Sequence, residues 1–203
     1  MRLIVENLTC VRGHHVVLRE LSFVTRGGTG LILTGPNGSG KTTLLRTVAG
    51  FLRPQTGRVF LEDSDSERTL TEQLHYVGHL DGIKSSLTVY ENLIFWHRYF
   101  VAATSEARIK EALDLLGLWE LADIPGGYLS AGQRRRLSLA RLLVAERSIW
   151  LLDEPTVALD AASQVLLNEL LNNHIKSGGM ALVATHLPLA ISQTEERNLG
   201  VRS

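Results

Sequence analysis

The chain has 203 residues, enough for one large domain or two small ones, and 44% of them are hydrophobic, so a substantial core can be buried. Lys plus Arg and Asp plus Glu each total 21, a formal net charge of zero. That balance argues against broad nucleic-acid binding, where a basic surface usually supplies the affinity, and no nucleic-acid partner is expected.

The first segments, "RLIVENLTCV" and "HVVLRELSFV", alternate in polarity like edge strands. Cys10 is the sole cysteine, so no internal disulfide can form; it reads as a small apolar strand residue, with a reactive thiol as the alternative. The N-terminus lacks the extended apolar stretch of a signal peptide, and no apolar run is long enough to span a bilayer. Attachment to a membrane would therefore need partners. "GLILTG" is a short buried strand that runs into a glycine-rich turn, and "KTTLLRTVAG" continues as an apolar-periodic helix stopped by Gly50. "GRVFLED" and "LHYVGH" are further strands, separated by the polar loop "EDSDSER", where an acidic metal site is the less favoured reading. From "SLTVYENL" to "LLGLWELAD" the pattern is helical, which predicts a helical subdomain over approximately 86–146, inserted into a single domain spanning 1–203.

In that helical region Val89, Leu93, Trp96 and Phe100 form one stripe, and Tyr90, Ile94, His97 and Val101 another; such a helix is buried, offers a partner groove, or does both on different faces. "LSAGQRRRLSLARLL" opens on Ser130, Ala131, Gly132 and Gln133, an S-x-x-Q capping pattern, and Leu137, Ala140 and Val144 share one face. The ordinary reading is a capped helix with Arg134, Arg135 and Arg136 as a solvated run. "SIWLLDEP" and "MALVATH" are two more buried strands, each preceded by a helix. Strands alternating with helices predict an α/β fold with a mainly parallel sheet covered on both faces.

Gly35, Pro36, Asn37, Gly38, Ser39, Gly40, Lys41 and Thr42, followed by Thr43, match G-x-x-x-x-G-K-[ST] between a strand and a helix. Glycines let backbone N–H groups converge on phosphate oxygens, and the helix adds its positive end. Lys41 can reach the β- and γ-phosphates, and the Thr42 hydroxyl can hold Mg²⁺. Asp153 ends an apolar strand at the sheet edge where ligands bind in open α/β folds, and there it can hold Mg²⁺ through water. Glu154 beside it can polarise an attacking water, and His186, ending "MALVATH", can hydrogen-bond a γ-phosphate. Taken alone, the acidic pair would read as a helix cap or turn, and the histidine as structural; a phosphate loop in the same chain shifts both readings.

A second anion site at Ser130, Gly132 and Gln133 remains to be explained. "LSAGQ" resembles the signature motif of ABC-type ATPases, and the order of phosphate loop, signature, "LLDEPTVALD" and histidine covers nearly the whole chain. The resemblance implies a P-loop NTPase of the ABC type, with a mainly parallel core sheet, an antiparallel N-terminal β part and a helical subdomain. It also implies ATP and Mg²⁺, and a second copy packed head to tail, so that Ser130, Gly132 and Gln133 serve the nucleotide of the other subunit. Asp160 then falls at the dimer interface. Two positions depart from the family pattern. Arg12 stands where an aromatic usually stacks on adenine, and His79 where a glutamine usually joins Mg²⁺ to the membrane partner; a guanidinium can still stack on a flat base, whereas imidazole is a poor Mg²⁺ ligand.

"NLTCVRG", "LSAGQRRR", "GH" before "GIKSSLT", and "THLPL" resemble the ATP-binding subunits of cytochrome c biogenesis haem exporters, with Leu80 and Asp81 replacing the usual Gln-Pro. This implies integral membrane partner subunits, haem met only through the complex, and a peripheral place on the cytoplasmic face of the bacterial inner membrane. His79 and His97 are conceivable haem ligands, though neither sits in a haem motif. The alternatives are an ATPase of a drug or antibiotic exporter, a non-transport ABC ATPase, and a small-molecule phosphotransferase. The last has no use for "LSAGQ".

Overall fold

The computed structural model describes residues 1–63, 68–101 and 105–200; residues 64–67 of the "EDSDSER" loop lie outside them. In chain order the main elements are β1 (Arg2–Arg12), β2 (His15–Arg26), β3 (Gly30–Thr34), α1 (Lys41–Val48), β4 (Thr56–Glu62), β5 (Leu74–Val77), α2 (Val89–Phe100), α3 (Glu106–Leu115), α4 (Ala131–Val144), β6 (Ile149–Asp153), α5 (Ala161–Lys176), β7 (Met180–Ala184) and β8 (Thr194–Asn198). They belong to two compact units. One comprises Met1–Tyr76, Arg147–Glu154 and the chain from Asn168 on; the other comprises Val77–Glu146 and Pro155–Leu167.

The first unit contains both sheets. β1 lies between β2 and β4 and is antiparallel to each. Its inward residues change parity along the strand: Leu3 and Val5 are buried, then Leu8 and Cys10. The register shift after Val5 explains this, because Asn7 takes a left-handed φ of 46° and inserts one residue. Cys10 is a core residue, its Sγ 3.5 Å from Thr47 Oγ1 on α1. The second sheet has the order β5-β6-β7-β3-β8, with parallel pairing of β6 to β7, β7 to β3 and β3 to β8. Every residue of β6 and β7 is buried, as expected of central parallel strands covered on both faces. Trp150 of β6 stacks on His174 of α5 at 4.0 Å. The parallel register aligns Leu33, Asp153 and Ala184, so the C-terminal ends of β3, β6 and β7 share one edge.

The second unit packs α2, α3 and α4. Capping boxes start two of these helices, Thr88 with Glu91 on α2 and Ser130 with Gln133 on α4. Each such cap contributes about 1 kcal/mol. On α2 Val89 and Leu93 are fully buried, Trp96 and Phe100 half-buried, and Phe95 and Tyr99 exposed. His97 is buried too: Nδ1 donates to Val144 O at 2.6 Å while Nε2 accepts from Ser105 N at 2.9 Å. Both ring nitrogens are thus used in helix packing, which disposes of His97 as a haem ligand. Among the described residues no helix is long and apolar enough to cross a membrane.

Candidate functional site

The strand-to-helix turn after β3 needs backbone that only glycine adopts readily. Gly35 has φ 128° and Gly40 φ 103°. A Cβ on Gly40 would lie 2.6 Å from Leu18 Cδ2, and one on Gly35 2.9 Å from Ser39 Oγ. α1 begins immediately after, with no side chain capping its N-terminus. Its first-turn N–H groups therefore face the loop as an anion seat. Ser39 Oγ is buried and makes no hydrogen bond among the described residues, a polar atom that a phosphate oxygen would satisfy.

Lys41 is only 7% exposed, and its Nζ donates to Gly35 O at 2.6 Å and to Pro36 O at 3.2 Å. It also lies 3.3 Å from His186 Nε2. That imidazole nitrogen is 3.0 Å from Asn37 Oδ1 and 3.5 Å from Glu154 Oε1 as well. One nitrogen cannot accept from Lys41 and donate to an oxygen at once, so these contacts are alternatives selected by tautomer and protonation. Thr42 Oγ1 donates to Asp153 Oδ1 at 3.1 Å. An alcohol and a carboxylate oxygen held this close are the hard donors that Mg²⁺ prefers. Asp153 is 2% exposed at the end of β6. Glu154 follows with φ 49°, its N–H bonded to Ala184 O at 2.8 Å, which turns its side chain away from the strand run.

Asn37, Ser39, Gly40, Lys41, Thr42, Asp153, Glu154 and His186 line one cleft of about 370 Å³, together with Arg12, Val17, Gly38, Thr43 and Arg46. It therefore brings together Asn37, Gly38, Ser39, Gly40, Lys41, Thr42, Thr43, Asp153, Glu154 and His186 from the sequence reading, while Gly35 and Pro36 contribute the carbonyls that Lys41 holds. Arg12 stands at this cleft as expected. Val17 and Arg46 were not read from the sequence; Arg46 lies one turn after Thr42 on α1, a spacing that could have exposed it.

At the start of α4, Gln133 N donates to Ser130 Oγ at 3.2 Å and Ser130 N donates to Gln133 Oε1 at 2.8 Å. The Gln133 amide oxygen is thus engaged within the cap. A Cβ on Gly132 would lie 3.0 Å from Ala158 O, so the glycine admits a close backbone approach. The arginine run is not a solvated face. Arg135 is 3% exposed, and Arg136 donates to Leu116 O at 2.9 Å. Helix geometry turns successive residues by about a quarter of a circle, so three in a row cannot all point outward. Asp160 Oδ1 accepts from Ser163 N at 2.8 Å, capping α5, and this hydrogen bond holds its carboxyl below the usual range. His79 is exposed.

A glycine-rich turn opening onto a helix N-terminus, with acidic residues at the end of β6 on the same sheet edge two strands away, is the arrangement of a P-loop nucleotide-binding cassette. The family model described as "ABC transporter" matches residues 18–157. The chain is 47% identical over 197 residues to the cytochrome c biogenesis ATP-binding export protein CcmA of Rhodopseudomonas palustris (strain HaA2), an overlap of 97% of this chain and 98% of that one. Among solved structures it resembles an ABC transporter ATP-binding protein from Pyrococcus furiosus, with TM-score 0.84, 23% identity and 98% of each chain covered. It also resembles the dimeric ATP-binding cassette MJ0796 bound to ADP and Pi, with TM-score 0.77, 25% identity, and 91% and 88% of the two chains covered. The chain belongs to the ABC transporter family and, within it, to the ATP-binding export proteins of cytochrome c biogenesis. It is an ATP-binding, ATP-hydrolysing subunit.

Proposed function

We propose that this ATPase drives haem export, or the release of a haem chaperone, as the peripheral subunit of a membrane complex on the cytoplasmic face of the bacterial inner membrane. The supporting observation is the convergence of Lys41, Thr42, Asp153, Glu154 and His186 on one cleft at a sheet edge, in a chain 47% identical to a cytochrome c biogenesis export protein.

In this reading the phosphate loop amides and Lys41 hold the β- and γ-phosphates of ATP, and His186 donates to a γ-phosphate oxygen. Thr42 and Asp153 would hold Mg²⁺, which when bound offsets the charge on the β- and γ-phosphate oxygens. Glu154 orients a water for in-line attack on the γ-phosphorus and takes its proton; the bond from phosphorus to the β–γ bridging oxygen breaks and ADP leaves. Arg12 stacks on the base. Ser130 and the first amides of α4 act on ATP bound to a second copy, as in a head-to-tail dimer, with Asp160 at the interface.

The Glu154→Gln variant tests the chemistry. It should retain ATP binding and lose turnover by about 10²–10⁴-fold. Near wild-type turnover in the assembled complex would refute the assigned role. Co-purification of the chain with its membrane subunits, followed by absorption spectroscopy, tests the cargo. Absence of haem from an active complex would favour a different exporter.

A further inference from the structure

The geometry points to Arg135 as a positioning residue for hydrolysis, anchored by Asp81 and acting through the backbone of Pro155. Arg135 sits on the first turns of α4 and is 3% exposed. Its Nε donates to Pro155 O at 3.2 Å, and its Nη1 donates to Gly78 O at 2.8 Å and to Asp81 Oδ1 at 3.3 Å. A planar guanidinium offers donors in fixed directions, so holding these acceptors together fixes their spacing. Two of them lie in the loop after β5. The third belongs to the residue that directly follows Glu154 in the chain.

A second arginine holds the same loop. Arg141, two turns further along α4 and also buried, lies 4.4 Å over the Trp96 ring. A Cβ on Gly82 would lie 3.1 Å from its Nη1. Asp81 thus supplies negative charge to two buried guanidinium groups that repel each other. A buried ion pair is weak evidence of net stability, but removing one partner from it is disruptive. Losing the Asp81 carboxylate should loosen Arg135, and with it the Pro155 backbone that sets where Glu154 begins. Small displacements of a reacting group are costly: about 1 Å can lower the rate about 10²-fold. Nucleotide contacts at Lys41 and Thr42 are made elsewhere in the chain and should not change.

This inference rests on the reading of Glu154 as the water-orienting group. The test measures kcat and the KM for ATP for Asp81→Ala, Asp81→Asn, Arg135→Lys and the double variant Asp81→Ala/Arg135→Lys, in the full chain alone and with its membrane subunits. Asp81→Ala should lower kcat about 10–100-fold with KM within about twofold. Asp81→Asn keeps an acceptor without the charge and should recover part of the loss. The double variant should be no worse than the poorer single one, because both changes break one linkage. Asp81 is 27% exposed at its side chain, so its variants carry the test even if Arg135→Lys folds poorly. Unchanged kcat in Asp81→Ala, fully additive losses, or a loss seen only with the membrane subunits present would overturn the proposal. Glu154→Gln is run alongside. If that variant turns over normally, the Glu154 reading has failed; if it is inactive while Asp81→Ala is normal, only the Arg135 linkage has.

Discussion

In the proposed mechanism Glu154 supplies a carboxylate, and it does so from a left-handed backbone with φ 49°. That conformation is disfavoured for any residue with a Cβ by about 1–2 kcal/mol. Glu154→Gly and Glu154→Ala both remove the carboxylate, but only glycine relieves the backbone. The Gly variant should be the more stable of the two by about 1 kcal/mol in urea unfolding, with both equally inactive. Equal midpoints would show that the turn carries no strain. Of the cleft itself, the residues from Asn37 to Thr43, Asp153, Glu154 and His186 were readable from the sequence, because each follows a strand signal whose end fixes where the side chain emerges. The pairing of Asp81 with Arg135 was not. A basic run on a helix looks solvated until tertiary packing decides which arginine turns inward, and the partners are 54 positions apart.

Helices and strands were mostly announced by their own period. The apolar runs "IWLL", ending at Asp153, and "MALVA" became the central parallel strands, and S-x-x-Q became a closed capping box on α4. The bulge in β1 was hidden, since Asn7 in a strand pattern gives no sign that its φ is positive. The pairing of β6 with α5 was hidden as well, and it carries a pH dependence. His174 stacks on Trp150 and its Nε2 lies 3.2 Å from Met180 O, while a Cβ on Gly179 would collide with the ring. Burial pushes its pKa down to about 4 from an ordinary 6.5, against the opposing pull of the Met180 and Ser148 carbonyls. The unfolded chain takes up a proton between these values and the folded one does not. Stability is therefore full above pH 6.5 and declines as pH falls toward 4. Between pH 7 and pH 5 the loss from this residue should be about 2 kcal/mol. His174→Phe keeps the stack without the titration, so its urea midpoints at pH 7 and pH 5 should differ less than those of the parent. An unchanged difference would assign the pH effect to other groups.

At the scale of the molecule, the two proposed anion seats belong to different compact units, at α1 and at α4. The proposal that α4 serves ATP on a second copy predicts complementation. Lys41→Ala and Gly132→Asp chains, each inactive alone, should regain activity when mixed, since one composite site of a mixed dimer then keeps both parts. Failure of mixed, covalently linked dimers to hydrolyse ATP would show that no single composite site of this kind suffices; full activity of Gly132→Asp alone would exclude action in trans. The class of fold was evident from strands alternating with helices, but the joining of 155–167 to the 77–146 unit was not, because only three-dimensional contact defines it. Strand order has a consequence for how the protein is made. β3, which leads into the glycine-rich loop, has β7 and β8 as its neighbours, and they lie roughly 150 residues later in the chain. At synthesis rates of about 5–20 residues per second, β3 waits on the order of ten to thirty seconds for the strands that hold it in a sheet. Until they emerge from the ribosome, the loop has no rigid support, so the nascent chain acquires its grip on nucleotide late in translation.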